Sequence, residues 1–193
     1  MSRLSNENVT LARTIISRYP RKRSALIPLL HLAQEQEGWV SPEAMAHIGE
    51  LVDMTSAEVL GTASFYEMFK RQPIGKYLIG VCTNISCMLV GGYELLDHVS
   101  STLGVVVGQT TSEGLFTVEE AECQAACSDA PCLQVNYRYF GRMDPAKVDD
   151  LLDDLRHDRL EDIVPPHGTL SRVRQKIGDP RQADAALSGE ARP

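Results

Sequence analysis

The stretch KYLIGVCTNISC, residues 76–87, decides how this chain folds. Its first seven residues, Lys76 followed by an apolar run of strand length, read as a mostly buried strand. The run stops at Cys82, and Cys87 follows after four intervening residues. Downstream, Leu95, Val99 and Leu103 share one face of a helix over 91–103, and residues 115–121 read as a second strand. That strand ends just before Cys123, and Cys127 follows after three residues. Leu133, Val135, Tyr137 and Tyr139 then alternate with polar residues, a period of two, with Gly141 marking a turn or the second strand of a hairpin. Asp144-Pro145 caps a last helix whose Val148, Leu151, Leu152 and Leu155 point inward, with Asp149, Asp150, Asp153 and Asp154 on its outer face. The order is β-α-β followed by β-β-α, a small α/β sandwich.

Upstream of Pro73-Ile74-Gly75 the period changes to that of helices. Val9, Leu11, Ala12, Ile15 and Ile16 give one stripe, ended by Pro20. Leu26, Leu29, Leu30 and Ala33 give a second, stopped by Gly38. Ser41-Pro42 starts a third helix, and Thr55 with Glu58 forms a capping box for a fourth. Helices this short must bury their apolar faces against one another. The expected organisation is α/β (α+β): an N-terminal helical bundle over 1–72, a sheet domain over 73–158 and an extended tail over 159–193. The tail carries no sustained periodicity.

The chain has 193 residues, 43% hydrophobic and 23% charged, enough for a sizeable core. No apolar run approaches the roughly 18 residues of a membrane span, and the first residues lack the apolar core of a secretory signal. A cytosolic location, or one on the cytosolic face of something larger, is expected. The net charge of −7 argues against nucleic acid. It is concentrated where the cysteines lie: residues 72–143 hold 3 basic and 7 acidic side chains, and residues 144–163 hold 3 and 8.

Five cysteines occur, and Cys82/Cys87 and Cys123/Cys127 make two close pairs. An odd count in a reducing compartment argues against a disulfide framework and for metal or redox chemistry. A [2Fe-2S] cluster needs four thiolates, two on each iron, and two local pairs at the ends of two strands can meet that need on one sheet edge. Cys87 also precedes a helix N-terminus, whose dipole favours thiolate. Zinc is the other metal, though its cysteine pairs are commonly tighter knuckles. Thiol–disulfide exchange normally uses C-x-x-C, which does not occur here, and inert buried thiols are the remaining reading.

Residues 62–87 (TASFYEMFKRQPIGKYLIGVCTNISC) and 113–145 (EGLFTVEEAECQAACSDAPCLQVNYRYFGRMDP) resemble the 24-kDa-type [2Fe-2S] subunits of respiratory NADH dehydrogenase, the E-type subunits of bacterial complex I. The resemblance runs from about Tyr19 to Leu155 and rests on both cysteine spacings, the ASFY segment and the APCLQVN strand. It implies a helical module followed by a thioredoxin-like ferredoxin domain. It implies one [2Fe-2S] cluster on Cys82, Cys87, Cys123 and Cys127, with Cys132 a buried spare thiol at a position that relatives commonly fill with an apolar residue. It also implies a partner: a larger flavoprotein subunit that holds FMN and NADH, in the peripheral arm of a complex on the cytoplasmic face of the inner membrane. The same resemblance extends less closely to diaphorase modules of NAD-linked hydrogenases and formate dehydrogenases. A thioredoxin-like zinc or scaffold module without redox function is the alternative of a different class.

Other features carry less. Gly91-Gly92 is no dinucleotide fingerprint, so no NADH site is found in this chain, and nothing resembles a hydrolase's catalytic set. Glu119, Glu120 and Glu122 either lower the potential of a nearby centre or form a solvated face. Phe65-Tyr66-Glu67-Met68-Phe69 reads as an apolar joint between the modules, and the five histidines as surface or satisfied polar groups. All-thiolate ligation favours a potential toward roughly −400 mV.

Overall fold

The structure, a computed structural model, describes residues 3–164 and His167. Four helices come first: α1 (Asn6–Ile16), α2 (Leu26–Glu37), α3 (Pro42–Val52) and α4 (Ser56–Phe65). Their ends are set by short-range chemistry. The hydroxyls of Ser5, Ser41 and Thr55 accept from the backbone N–H groups of Asn8, Ala44 and Glu58, and Glu58 closes a capping box on Thr55. Gly38, at φ +80°, ends α2 in the left-handed conformation. Ala12, Ile15, Leu29, Leu30, Ile48, Val52 and Val59 are buried in one cluster among these helices.

The second half is β1 (Tyr77–Cys82), α5 (Ile85–Met88), α6 (Gly92–Leu103), β2 (Phe116–Ala121), β3 (Leu133–Val135), β4 (Arg138–Phe140) and α7 (Pro145–Arg156). The sheet order is β2-β1-β3-β4. β1 runs parallel to β2, with Cys82 opposite Ala121, and antiparallel to β3. Paired on both sides, β1 is buried along its whole length, which is why its sequence shows no polar alternation. Tyr77, Ile79 and Val81 pack against Leu95, Leu96 and Val99 of α6 and Leu151, Leu152 and Leu155 of α7, in a core separate from the helical one. Leu78, Gly80 and Cys82 occupy the other face of the strand.

That other face meets the segment arriving from α4. Gln34, fully buried in α2, donates to the Met68 carbonyl at 2.8 Å and accepts from the Lys70 N–H at 2.8 Å. Lys70 pairs with Glu119 of β2 at 2.7 Å, the Gly75 N–H donates to Thr117 at 2.7 Å, and the Tyr137 hydroxyl donates to the Met68 carbonyl at 3.3 Å. In the aromatic stretch, Phe69 is buried edge-on to His31 while Phe65 stays 79% exposed, so the joint is made by Phe69, Tyr66 and Met68.

Two expectations are corrected. The alternation over 133–139 is not one strand with a turn near Gly141. The chain turns at Asn136-Tyr137, both at positive φ (47° and 62°), and pairs Leu133 with Phe140. Asn136 tolerates that conformation, and its buried amide accepts from the Leu78 N–H at 2.7 Å and donates to the Lys76 carbonyl at 2.9 Å, locking the turn to β1. Nor does an extended tail start at 159. Residues 157–164 form turns, Leu160 packs on the sheet core, and Val164 is buried in it. Two apolar residues four apart are too few to make a period. The rest of the expected tail, apart from His167, lies outside the described residues. The His167 N–H donates to the Lys76 carbonyl at 2.8 Å.

Candidate metal centre

The two cysteine pairs sit at the ends of neighbouring strands. Cys82 is the last residue of β1; the chain then turns through Asn84, whose side chain caps the single turn of α5, which carries Cys87. Cys123 follows β2 by two residues, and Cys127 opens a short 3-10 turn. Parallel pairing brings these two loops together: the Thr83 N–H donates to the Ala121 carbonyl at 3.1 Å, and the Cys82 Sγ lies 3.6 Å from the Glu122 carbonyl. Ala125, between Cys123 and Cys127, sits at φ 55°, a conformation costing roughly 1–2 kcal/mol for a residue with a Cβ. Strain of this kind is typical of a loop held in one shape for its function.

Cys82, Cys87 and Cys132 are buried, with their sulfurs within 4.8 Å of one another; Cys123 and Cys127 are exposed. The fold therefore gathers three thiols, of which the sequence spacing points to two. Cys132 reaches them because β3 lies beside β1, where the Cys82 N–H donates to the Cys132 carbonyl at 3.1 Å. That antiparallel neighbour is a non-local pairing, and no sequence spacing signals it.

Gln124 is the second residue that sequence reasoning misses. It is buried, its amide donates to the Gly80 carbonyl at 2.7 Å, and its Oε1 accepts from the Cys132 thiol at 3.6 Å. Its carbonyl accepts from the Tyr139 hydroxyl at 2.8 Å. Gln124 thus fastens the second cysteine loop to β1, β4 and Cys132 at once.

The electrostatics differ among the buried thiols. Burial opposes ionisation of Cys82, but backbone N–H groups of Gln124 and Asn84, one from each cysteine loop, outweigh it and hold the thiol below its ordinary value. Burial raises Cys87, despite a backbone N–H from Cys132. Burial, then proximity to Cys87, pushes Cys132 up to about 12. Glu119 and Glu120 are engaged, the first with Lys70 at 2.7 Å and the second by the Thr83 hydroxyl at 2.6 Å. Among the described residues no histidine joins the grouped ligand atoms: His98 faces Asp149, His157 faces Asp153, and His47 accepts from the Leu4 N–H.

The N-terminus of α6 closes the site from behind. A Cβ on Gly92 would stand 2.8 Å from the Cys82 carbonyl oxygen and 2.9 Å from the Cys87 carbonyl carbon, so glycine is what lets the helix seat on the first cysteine loop. A cleft of about 1380 Å³ runs between the helical module and the sheet, from Leu60 and Met68 past Lys70 and Glu120 to Cys123 and Tyr139.

A sequence model of the thioredoxin-like [2Fe-2S] ferredoxin family matches residues 12–156. The chain belongs to that family. Among curated relatives it is 44% identical over 147 residues to the E-type subunit of the NADH-quinone oxidoreductase of Mycobacterium bovis, covering 76% of this chain and 58% of that protein. It is 42% identical over 154 residues to NADH-quinone oxidoreductase subunit 2 of Thermus thermophilus, covering 78% of this chain and 85% of the relative. The chain thus spans little more than half the length of the first relative and most of the second. Among solved structures it is similar to an NAD+-reducing [NiFe]-hydrogenase, with a TM-score of 0.65 and 25% identity over 73% of this chain and 24% of that one.

The donor set of this ferredoxin-family chain suits a [2Fe-2S] cluster. The structure groups three soft sulfurs, those of Cys82 and Cys87 in the first loop and of Cys132 in β3, and leaves Cys123 and Cys127 of the adjacent second loop exposed outside that group. Among the described residues no helix is long and apolar enough to cross a membrane.

Proposed function

We propose that this chain is the electron-transfer subunit of an NADH-quinone oxidoreductase, holding one [2Fe-2S] cluster on Cys82, Cys87, Cys123 and Cys127. The observation that carries the proposal is the meeting of the two cysteine loops at the ends of β1 and β2, where the Thr83 N–H donates to the Ala121 carbonyl and the Cys82 Sγ lies 3.6 Å from the Glu122 carbonyl. When bound, the cluster supplies reversible one-electron transfer at iron held by thiolates.

The chain's own residues do the rest. Gln124 and Tyr139 fix the second loop, Gly92 seats α6 on the first, and the N–H groups of Asn84 and Gln124 set the field at the Cys82 sulfur. Rigid placement keeps the reorganisation accompanying electron transfer small. Residues 1–72 act as a helical support and 73–158 as the cluster domain, with Leu160 and Val164 packed onto the core of the latter.

FMN and NADH belong to a neighbouring flavoprotein subunit. The chain performs no hydride chemistry itself and works in the peripheral arm of the complex, on the cytoplasmic side. Ile85 (67% exposed), Leu89 (77%) and Val90 form an apolar patch beside Cys87, the kind of surface that a partner covers. The test is reduction by NADH. The purified chain alone should stay oxidised in NADH and should be reduced once the flavoprotein is added. Reduction by NADH without flavoprotein would overturn the division of labour.

A second reading has its own support in the similarity to the NAD+-reducing hydrogenase: an equivalent diaphorase subunit. The proteins that copurify with the chain discriminate between the two readings, quinone-reducing membrane subunits in one case and a hydrogenase in the other.

A further inference from the structure

Cys132 is absent from the proposed cluster ligands, yet its sulfur is 3.7 Å from that of Cys87, and both lie within 4.8 Å of Cys82. A tetrahedral metal with bonds of about 2.3 Å to sulfur has sulfur–sulfur edges of about 3.8 Å. The Cys87–Cys132 separation already matches such an edge. The three thiols are buried, come from β1, α5 and the start of β3, and have no carboxylate or imidazole grouped with them among the described residues. Gln124 Oε1, at 3.6 Å from Cys132 Sγ, is a neutral oxygen at the rim.

We propose that Cys82, Cys87 and Cys132 form a second metal site, taking a single soft d10 cation such as zinc in the chain that lacks its cluster. Binding exchanges three thiol protons for one divalent cation and leaves one net negative charge on the site. Backbone N–H groups of Asn84 and Gln124 on Cys82, and of Cys132 on Cys87, face that charge. Two of the three sulfurs are shared with the cluster set, so zinc and cluster exclude each other. The fifth cysteine thus gives the empty chain a way to be held, or poisoned, by zinc. The inference depends on these three sulfurs and not on the electron-transfer role.

The test uses the full-length chain, stripped of iron by chelator under reducing conditions and titrated with cadmium, whose bonds to thiolate give an ultraviolet charge-transfer band. The wild type should bind about one equivalent. The Cys123→Ser/Cys127→Ser double variant should bind it equally well. Cys132→Ser should lose at least about tenfold in affinity. A wild type that binds none, a Cys132→Ser that binds like wild type, or a double variant that loses the metal would each overturn the proposal. A measurement on the wild type alone guards against a variant that fails to fold. Alkylation read by mass spectrometry should show that one equivalent of zinc slows modification of Cys82, Cys87 and Cys132 at least about tenfold while Cys123 and Cys127 react as before. Zinc protection of Cys123 and Cys127 instead would refute it.

Discussion

Replacing Gly92 by alanine sets two effects of opposite sign against each other. Intrinsic propensity favours alanine over glycine in a helix by up to about 1 kcal/mol. Against it, the added Cβ would meet the Cys82 carbonyl oxygen at 2.8 Å and the Cys87 carbonyl carbon at 2.9 Å. Ordinary carbon contacts lie near about 3.5 Å, so backbone must move by about 0.6–0.7 Å. Both opposing atoms are backbone, with no flexible side chain to give way, and overpacking of this kind costs about 1–3 kcal/mol. The steric effect wins, and Gly92→Ala should lower Tm by about 2–8 °C in a chain of this size. Gly61, in α4, provides the control: a Cβ there meets nothing within 4 Å, so Gly61→Ala should raise Tm by up to about 4 °C. Because the displaced backbone carries Cys82 and Cys87, the Gly92 variant should also alter the visible circular dichroism of the loaded protein, and the Gly61 variant should not. Thermal unfolding and visible spectra of the two variants decide the matter. A Gly92→Ala protein as stabilised as Gly61→Ala, with an unchanged visible spectrum, would refute the close seating of α6 on the cysteine loop.

Other consequences follow from single residues. Asn136→Ala should cost about 1–3 kcal/mol in urea unfolding, because it removes two buried hydrogen bonds and leaves the Leu78 N–H unpaired, while the Lys76 carbonyl keeps the His167 N–H. Gln124→Leu removes the amide's bond to the Gly80 carbonyl, which keeps its place in the ladder opposite Gln134, and should cost about 0.5–1.5 kcal/mol while shifting the reduction potential; a potential equal to wild type in a spectroscopically monitored titration would count against Gln124 as the fastener of the second loop. Burial, with Glu119 and Glu67 nearby, raises the Tyr137 pKa above its ordinary value of 10.0. The folded state therefore keeps a proton that the unfolded state releases, so this contribution is complete below about pH 10 and is lost as pH rises further. Tyr137→Phe should flatten that alkaline loss of stability.

The parts of the fold set by local sequence are readable in advance. The apolar run ending at Cys82 has strand length, Leu95 and Val99 have helical spacing, and Thr55 with Glu58 marks a helix start. What is not readable depends on contacts between distant segments. Asn136-Tyr137 lacks the Asn-Gly signature of a tight hairpin, and its alternation continues through the turn, because the amide bonds to β1 and not the sequence pattern hold it. Cys132 falls into the site through β3 lying beside β1, and Gln124 through its amide bond to Gly80 of β1, contacts between segments far apart in the chain that periodicity does not encode. The short apolar contacts of Leu160 and Val164 leave no pattern for the same reason.

The most direct measurement is iron content and the paramagnetic signal of the reduced protein across a panel of five single cysteine-to-serine variants. A cluster held by the two strand-end pairs predicts that Cys82→Ser, Cys87→Ser, Cys123→Ser and Cys127→Ser lose or grossly alter the signal, because each iron needs two thiolates. Cys132→Ser should keep about two irons per chain and a wild-type signal. Loss of iron in Cys132→Ser, with retention in Cys123→Ser or Cys127→Ser, would contradict it and place the cluster on the buried triad instead.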